Sequence, residues 1–493
     1  MLMKRFFAIS LGILLFYASV SSQETFSTII NNDKDLYCTD IFETSSGNYI
    51  VTSIGIVYGS KASIATHLYR VNNVGIVLDS LIISEDRNCL LKKTMELENG
   101  DFISWGSYET EASNVYDFWQ VIFDNELNIV SQSFYEIPNG HQVLKINSII
   151  RENNNIALSV TFRSDANNSS MTDFFMAEIN QNGERVSDSI FNQGNRNFVY
   201  DMDYVFTNNT YYLATLNEFT AKAESEILVM DSNFNVIDEY PTYQTKIRLG
   251  QTINFINDSM FLFAGNYRPS KKVDNQLLGI YKYDTSFVEL DHLYIGTPDT
   301  LMYSGVFNNL DFTNSSNIFF GSTKNFLYNA NQWTSQKSWI QIDNVDSDLN
   351  ISWEKYYGGD AYYFLYYTLA TADGGALFMA SKYEHGESGP YERDIFLLKV
   401  NQDGLITSVP NDLQISIKDA IVLPNPGRDY LELHTAAFPA NFILLDMNGK
   451  IVLQQSITQN KSQMNTQSLA TGAYVWRLIK RGALLESGKW IKE

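Results

Sequence analysis

The sequence predicts an all-β protein in which seven similar units precede a small C-terminal β-segment. Aromatic residues make up 14% of the 493 positions against only 9 prolines, a composition of packed strands and not of a disordered chain. Tight turns then recur at Ser46-Gly47-Asn48, Asn99-Gly100-Asp101, Asn153-Asn154-Asn155, Asn208-Asn209-Thr210, Asn257-Asp258-Ser259, Asn314-Ser315-Ser316 and Asp373-Gly374-Gly375. Their spacing of roughly 50–58 residues falls in the range of repeat architectures. Finally, each turn is followed by an apolar strand: Tyr49 to Ser53, Phe102 to Gly106, Ile156 to Phe162, Tyr211 to Leu216, Met260 to Gly265, Ile318 to Ser322 and Ala376 to Ser381.

A polar loop of about ten residues follows each of these strands, and then a third strand, from Thr66 to Val71 in the first unit to Asp394 to Asn401 in the last. A second tight turn, clearest in Asn72-Asn73-Val74-Gly75, Gln181-Asn182-Gly183 and Gln402-Asp403-Gly404, leads to a fourth strand such as Ile76 to Ile82 or Ile351 to Tyr357. Four strands joined in order by short turns make an antiparallel meander that cannot bury both faces alone, so the units must stack. Seven such units suit a closed ring, and the fold class expected for residues 23–412 is a seven-bladed β-propeller. A row of β-sandwich modules would need about 100 residues each, twice the period seen. This part is also similar to the repeat-rich propellers of secreted bacterial proteins whose blades carry an Asp-Gly-Gly turn; only Asp373-Gly374-Gly375 matches that turn in full. Phe26 to Ile30 stands before the first unit as Trp353 to Tyr357 stands before the seventh. The N-terminal segment is therefore expected to supply the outer strand of the last blade, the alternative being Leu405 to Val409.

Residues 1–22 read as a signal peptide: Lys4 and Arg5 precede an apolar run from Phe6 to Tyr17, and small residues follow. That run is too short to span a bilayer, and no later segment approaches the ~20 apolar residues a spanning helix needs. The first cysteine is Cys38, so no lipid-anchored start is expected.

The formal charge of -21 is unevenly spread. From Leu413 onward there are 9 basic and 6 acidic residues, whereas Gln23 to Asp412 holds 24 basic and 50 acidic. That balance argues against nucleic acid and anionic surfaces as partners and leaves cationic partners or divalent ions open.

The motifs of common catalytic chemistry are absent. Gly386-Glu387-Ser388-Gly389 lacks the spacing of an exposed nucleophile. His67, His141, His292, His385 and His434 stand singly, without the second ligand a zinc site requires. Asp343, Asp346, Asp348 and Asn350 form the densest run of oxygen ligands, but without the central Gly and distal Glu of a calcium loop. Asp201 and Asp203, with Arg196, Arg248 and Asp360 on neighbouring links, could face one mouth of the ring, and a carboxylate pair is what glycoside chemistry uses. Tyr356-Tyr357, Tyr362-Tyr363 and Tyr366-Tyr367 fit inter-blade packing better than sugar stacking. No catalytic, cofactor or metal residues are assigned, and no cofactor is expected. Cys38 and Cys89, the only cysteines, sit at similar places in units one and two. An even pair in an exported chain invites a disulfide, and two buried thiols are the alternative.

Residues 413–493 carry three ordered motifs: Pro424-Asn425-Pro426, then Asp446-Met447-Asn448-Gly449-Lys450 between two apolar strands, then Gly472-Ala473-Tyr474. The middle one is a hairpin signal. In that order they resemble the C-terminal sorting domain, type A-like, of proteins exported by the type IX secretion system of Bacteroidetes. The resemblance implies a small immunoglobulin-like β-sandwich recognised by the outer-membrane secretion machinery, with Pro424, Asn425, Pro426, Asp446, Gly449, Lys450, Gly472 and Tyr474 at the matching positions. It also implies passage through the periplasm to a secreted or outer-surface location. The function expected is that of a non-enzymatic binding protein whose long loops, from Gly55 to Ala65 through Lys382 to Arg393, present one face to an extracellular polysaccharide or protein. The alternative is a propeller-type glycan lyase or hydrolase.

Overall fold

The computed structural model describes residues 23–493, apart from 32–33, 58–62, 84–86, 112–114, 138–141, 164–170, 192–195, 221, 270–275, 298–299, 327–335, 386–391, 408–414, 417–419, 436–437, 448, 460 and 481–482. The signal segment 1–22 and the tips of the long loops therefore lie outside the described residues.

Alternation of apolar and polar residues, broken by Asn, Asp and Gly, folds the chain into consecutive antiparallel meanders. The first runs through Asp35–Glu43, Tyr49–Val57, Ser63–Val71 and Val77–Ile83. Six further sheets follow in chain order, the sixth with its first strand split into Met302–Ser304 and Leu310–Asn314. The inner strands of successive sheets touch in order, and the last, Tyr362–Ala370, touches the first, Asp35–Glu43, so the contacts form a closed cycle. The second and third strands of each sheet are almost wholly buried: all eight residues of Thr172–Ile179 and of Ala376–Tyr383 are buried. Outer strands such as Ile129–Glu136 are largely exposed. Aromatic side chains fill the gaps between sheets, with Phe118 against Phe175 at 5.4 Å and Tyr212 against Phe255 at 4.8 Å.

The turn that follows the third strand has one chemistry in all seven sheets. Asn72, Asp124, Asn180, Asp231, Asp284, Asp346 and Asn401 each accept, through Oδ1, the backbone N–H groups two and four residues on. These are Asx turns. The third residue after each is left-handed: Gly75, Gly183 and Gly404, but Leu127, Phe234, Phe287 and Leu349 elsewhere. The four bulky residues bury their side chains, which offsets the backbone strain.

The strand Phe26–Asn31 pairs antiparallel with Asp394–Val400, Phe26 opposite Lys399 and Ile30 opposite Ile395, and so forms the fourth strand of the seventh sheet. This is the closure expected from the sequence. Phe26 lies over Gly75, whose φ of +85° and absent Cβ admit the ring, and Thr28 Oγ1 donates to Gly75 O at 2.7 Å. The stretch from Leu405 to Thr407 adds no strand, and residues 408–409 are outside the described set.

After Ala420 the chain forms two further sheets, one of three strands and one of four, with Leu433, Phe442, Leu444, Leu478 and Trp490 buried between them. No helix among the described residues is long and apolar enough to cross a membrane.

Candidate functional site at the ring axis

The inner strands carry a β-bulge at equivalent points. Register shifts between Cys38 and Asp40, Leu91 and Lys93, Val143 and Lys145, Val199 and Asp201, and Leu365 and Tyr367. A bulge inserts one residue and re-aims the side chains around it. Here it turns the residue that follows toward the axis, where Asp40, Lys93, Lys145, Asp201 and Tyr367, joined by Asn254 and Asn308 from the fifth and sixth sheets, line a cavity of about 100 Å³. Each sheet contributes at least one polar side chain, and Thr39, Asn147, Ser148 and Lys92, the inserted residue of the second sheet, add others.

Carboxylates of the inner strands, Asp40 and Asp201 of the cavity among them, tie neighbouring sheets together. Asp40 Oδ2 accepts the Thr94 N–H at 2.8 Å, Asp201 Oδ2 that of Ile253 at 2.9 Å, Asp203 Oδ2 that of Phe255 at 2.7 Å and Asp311 Oδ2 that of Ala370 at 2.8 Å. An inner strand has no ladder partner on its axial side, so its N–H groups must be satisfied from the adjoining sheet. Hydroxyls complete the pattern: Thr66, Ser107, Thr161 and Thr323 accept from Leu91, Val143, Val199 and Leu365.

Lys93 Nζ donates to Asp40 Oδ1 at 2.9 Å and to Tyr367 Oη at 3.1 Å, linking sheets one, two and seven. Burial would lower the Lys93 pKa, but the Asp40 carboxylate and Tyr367 more than reverse it and hold the ammonium charged. Lys145 Nζ donates to the Phe307 carbonyl at 2.8 Å. Burial depresses it to about 8 against the pull of the nearby Asp201, which burial in turn pushes up to about 6. Lys92 is lowered to about 8 by burial and by Arg163.

The expected mouth constellation comes apart. Asp201 reaches the axis and Asp203 caps a strand, but Arg248 is solvent-exposed, Asp360 is exposed beside Tyr363, and the Arg196 side chain is outside the described set. The run around Asp346 is likewise split: Asp346 closes its own turn with Asp348 and Asn350, while Asp343 is buried against Gln341. No group of three or more metal-ligating His, Cys, Asp or Glu side chains occurs among the described residues. At Cys38 and Cys89 the structure takes the second of the two alternatives, a pair of buried thiols. They are not bridged, because each thiol is buried within its own sheet junction, Cys38 Sγ toward Ala380 O at 3.6 Å and Cys89 Sγ toward Ile83 O at 3.0 Å. Of the tyrosine pairs, Tyr362, Tyr363 and Tyr366 pack as expected, whereas Tyr367 is an axial residue.

In the C-terminal sheets, the first and third motifs meet on one side chain. Pro424 O accepts Trp490 Nε1 at 2.8 Å, Asn425 bonds Lys489 O and Ile491 N at 2.9 Å each, and the Trp490 ring lies 5.9 Å from that of the buried Tyr474. Pro426 is exposed beside them, and Gly472 opens the strand that carries Tyr474. The second motif is an exposed hairpin tip, with Asp446 Oδ1 accepting the Lys450 N–H at 3.0 Å and Gly449 at a φ of +79°.

An all-β protein of cyclically packed four-stranded sheets, carrying a separate two-sheet tail, is the class these features define. Residues 421–493 match the family model of a secretion system C-terminal sorting domain, so the chain carries a type IX sorting tail and is an exported protein, secreted or at the cell surface. No curated protein sequence matches the chain. Among solved structures, it is similar to the β-propeller domain of the Trilobed protease from Pyrococcus furiosus, at 9% identity and a TM-score of 0.43, covering 76% of this chain and 99% of that one. An α-L-arabinanase of Penicillium chrysogenum gives the same score and identity over 78% and 99%. NanB sialidase from Streptococcus pneumoniae gives 0.41 and 9% over 77% and 71%. At these scores the likenesses carry no argument about activity.

Proposed function

We propose that this chain is a secreted or outer-surface binding protein, a seven-bladed β-propeller delivered by an immunoglobulin-like sorting domain of the type IX system after a signal peptide directs it to the periplasm. The ligand is an extracellular glycan or protein held at the axial mouth and the loops around it. The observation that carries this reading is the ring of polar side chains, at least one from each sheet, set on rigid strands by repeated bulges and opening on a cavity. Pre-organised polar groups around a concavity are the usual make-up of a recognition site. A glycan array probed with the purified protein, run beside reducing-sugar release assays, tests it: binding without turnover is expected, and turnover overturns it.

One observation favours the second reading, a glycan lyase or hydrolase. Asp201 is a cavity-lining carboxylate raised to about 6 by burial, the state of a general acid. Loss of turnover in Asp201→Asn would establish that reading if turnover were found.

A further inference from the structure

We propose that the axial cavity binds an oxyanion, the carboxylate, sulfate or phosphate group of a ligand, between Lys92 and Lys145. The proposal rests on the reading of the axis as a binding site and names the chemistry it takes. Three lysines line the cavity, and of these, among the described residues, Lys93 alone stands within ion-pair distance of a carboxylate, Asp201 acting on Lys145 from farther off. Lys145 donates to a neutral carbonyl, which leaves two of its three N–H bonds for other acceptors. Lys92 has no hydrogen-bond or ion-pair partner among the described residues. Behind it stands a second cation, Arg163, whose Nε is buried without an acceptor.

The two cavity carboxylates do not balance these charges. Asp40 is committed to Lys93 and Thr94, and Asp201 gives one oxygen to Ile253. Three ammonium groups therefore face two carboxylates in a chain whose net charge is -21. Bringing cations together away from bulk water without counter-charge is costly, and an anion of the right size relieves it. Burial lowers both Lys92 and Lys145 to about 8, with no carboxylate opposing it at Lys92 and with Asp201 and Asp40 offsetting it only in part at Lys145. About 100 Å³ suits one small oxyanion with a few waters, so the charged group enters and the body of a larger ligand stays at the mouth. Overall acidity, which argues against anionic partners when charge is summed along the sequence, does not describe this site.

Isothermal titration of the full mature protein with sodium sulfate, sodium phosphate and sodium glucuronate, at constant ionic strength against chloride and with glucose as the neutral control, tests the proposal. Saturable binding of at least one of the three anions is expected, with none for glucose. Glucuronate binding alone would assign the group to an acidic sugar, and sulfate or phosphate binding alone to an ester or the inorganic ion. Lys92→Gln and Lys145→Gln should each weaken the affinity tenfold or more, and Lys461→Gln in the tail should leave it unchanged. Should the axial variants fail to fold, acetylation of the unmutated protein at pH 8, read by mass spectrometry, replaces them: the bound anion should slow labelling of Lys92 and Lys145 at least fivefold. No heat above the chloride control, or equal affinity or equal labelling in these comparisons, overturns the proposal. An array positive for neutral glycans alone, without anion binding, overturns the oxyanion site and leaves the binding function standing.

Discussion

Asp40 and Lys93 form an ion pair across the first junction of the ring, 2.9 Å from Oδ1 to Nζ, with the Asp40 side chain only 1% exposed. Because Asp40 also accepts the Thr94 N–H, one carboxylate holds both the charge and the backbone of the neighbouring strand. Removing one partner of a buried pair leaves the other uncompensated, which typically costs about 3–5 kcal/mol. Asp40→Ala is therefore expected to destabilise the ring by that order, and Asp40→Ala combined with Lys93→Met to recover most of the loss. Urea denaturation followed by tryptophan fluorescence checks both; a double variant no more stable than the single one would show that the uncompensated ammonium is not the cause.

Ring closure by the N-terminal strand gives a second expectation. Phe26 and Ile30 are buried, at 4% and 0% exposure, whereas Val130 on the outer strand of the second sheet is 60% exposed. Phe26→Ala and Ile30→Ala should each cost about 2–5 kcal/mol, and Val130→Ala should stay within about 0.5 kcal/mol. Equal, small effects at all three positions in thermal denaturation would contradict the closure.

Asp311 governs a pH dependence. Burial raises its pKa from 3.8 to about 7, against the N–H bonds from Ala370 and Phe312, and Asp201 and Asp203 add to the rise. Between pH 4 and 7 the folded state thus holds a proton that the unfolded chain releases. The contribution of Asp311 to stability is full below pH 4 and is lost as pH rises to 7. Asp311→Asn should flatten the stability profile across that window, improving by on the order of 2–4 kcal/mol relative to the parent protein between pH 4 and pH 8. Parallel profiles for the two proteins would refute the assignment.

Much of this architecture is legible in the sequence, and the losses have physical causes. Turns built on Gly75, Gly183 and Gly404 announce themselves, but Leu127, Phe234, Phe287 and Leu349 adopt the same left-handed conformation and look like strand residues. Their common signal is the Asp or Asn three positions earlier, which a search for glycine passes over. The axial site is hidden for a different reason. Strand alternation predicts which face a side chain takes, and a bulge before Lys93, Lys145 and Asp201 shifts that alternation by one residue. Asp201 was visible as a carboxylate, but its companions come from strands about 50 residues apart and share no motif.

The two cysteines supply a chemical check. Cys38 is buried and its thiol pKa is raised by that burial, and Cys89 is equally inaccessible. Neither should react with Ellman's reagent in the folded protein, and two equivalents should appear on unfolding without reductant. No thiol released on unfolding would mean that the pair is oxidised after all.

The division of labour between ring and tail is tested most directly by deleting residues 413–493 and fractionating cells that possess a type IX system. The Phe26–Asn31 strand closes the seventh sheet through its antiparallel pairing with Asp394–Val400, and the deletion takes from that sheet only the two-residue strand Ile415–Ser416 at its outer edge. The truncated protein should therefore remain folded and protease-resistant but accumulate in the periplasm, while the full chain reaches the surface or the medium. Efficient delivery of the truncated protein to the surface or the medium would contradict the assignment of the tail as the address.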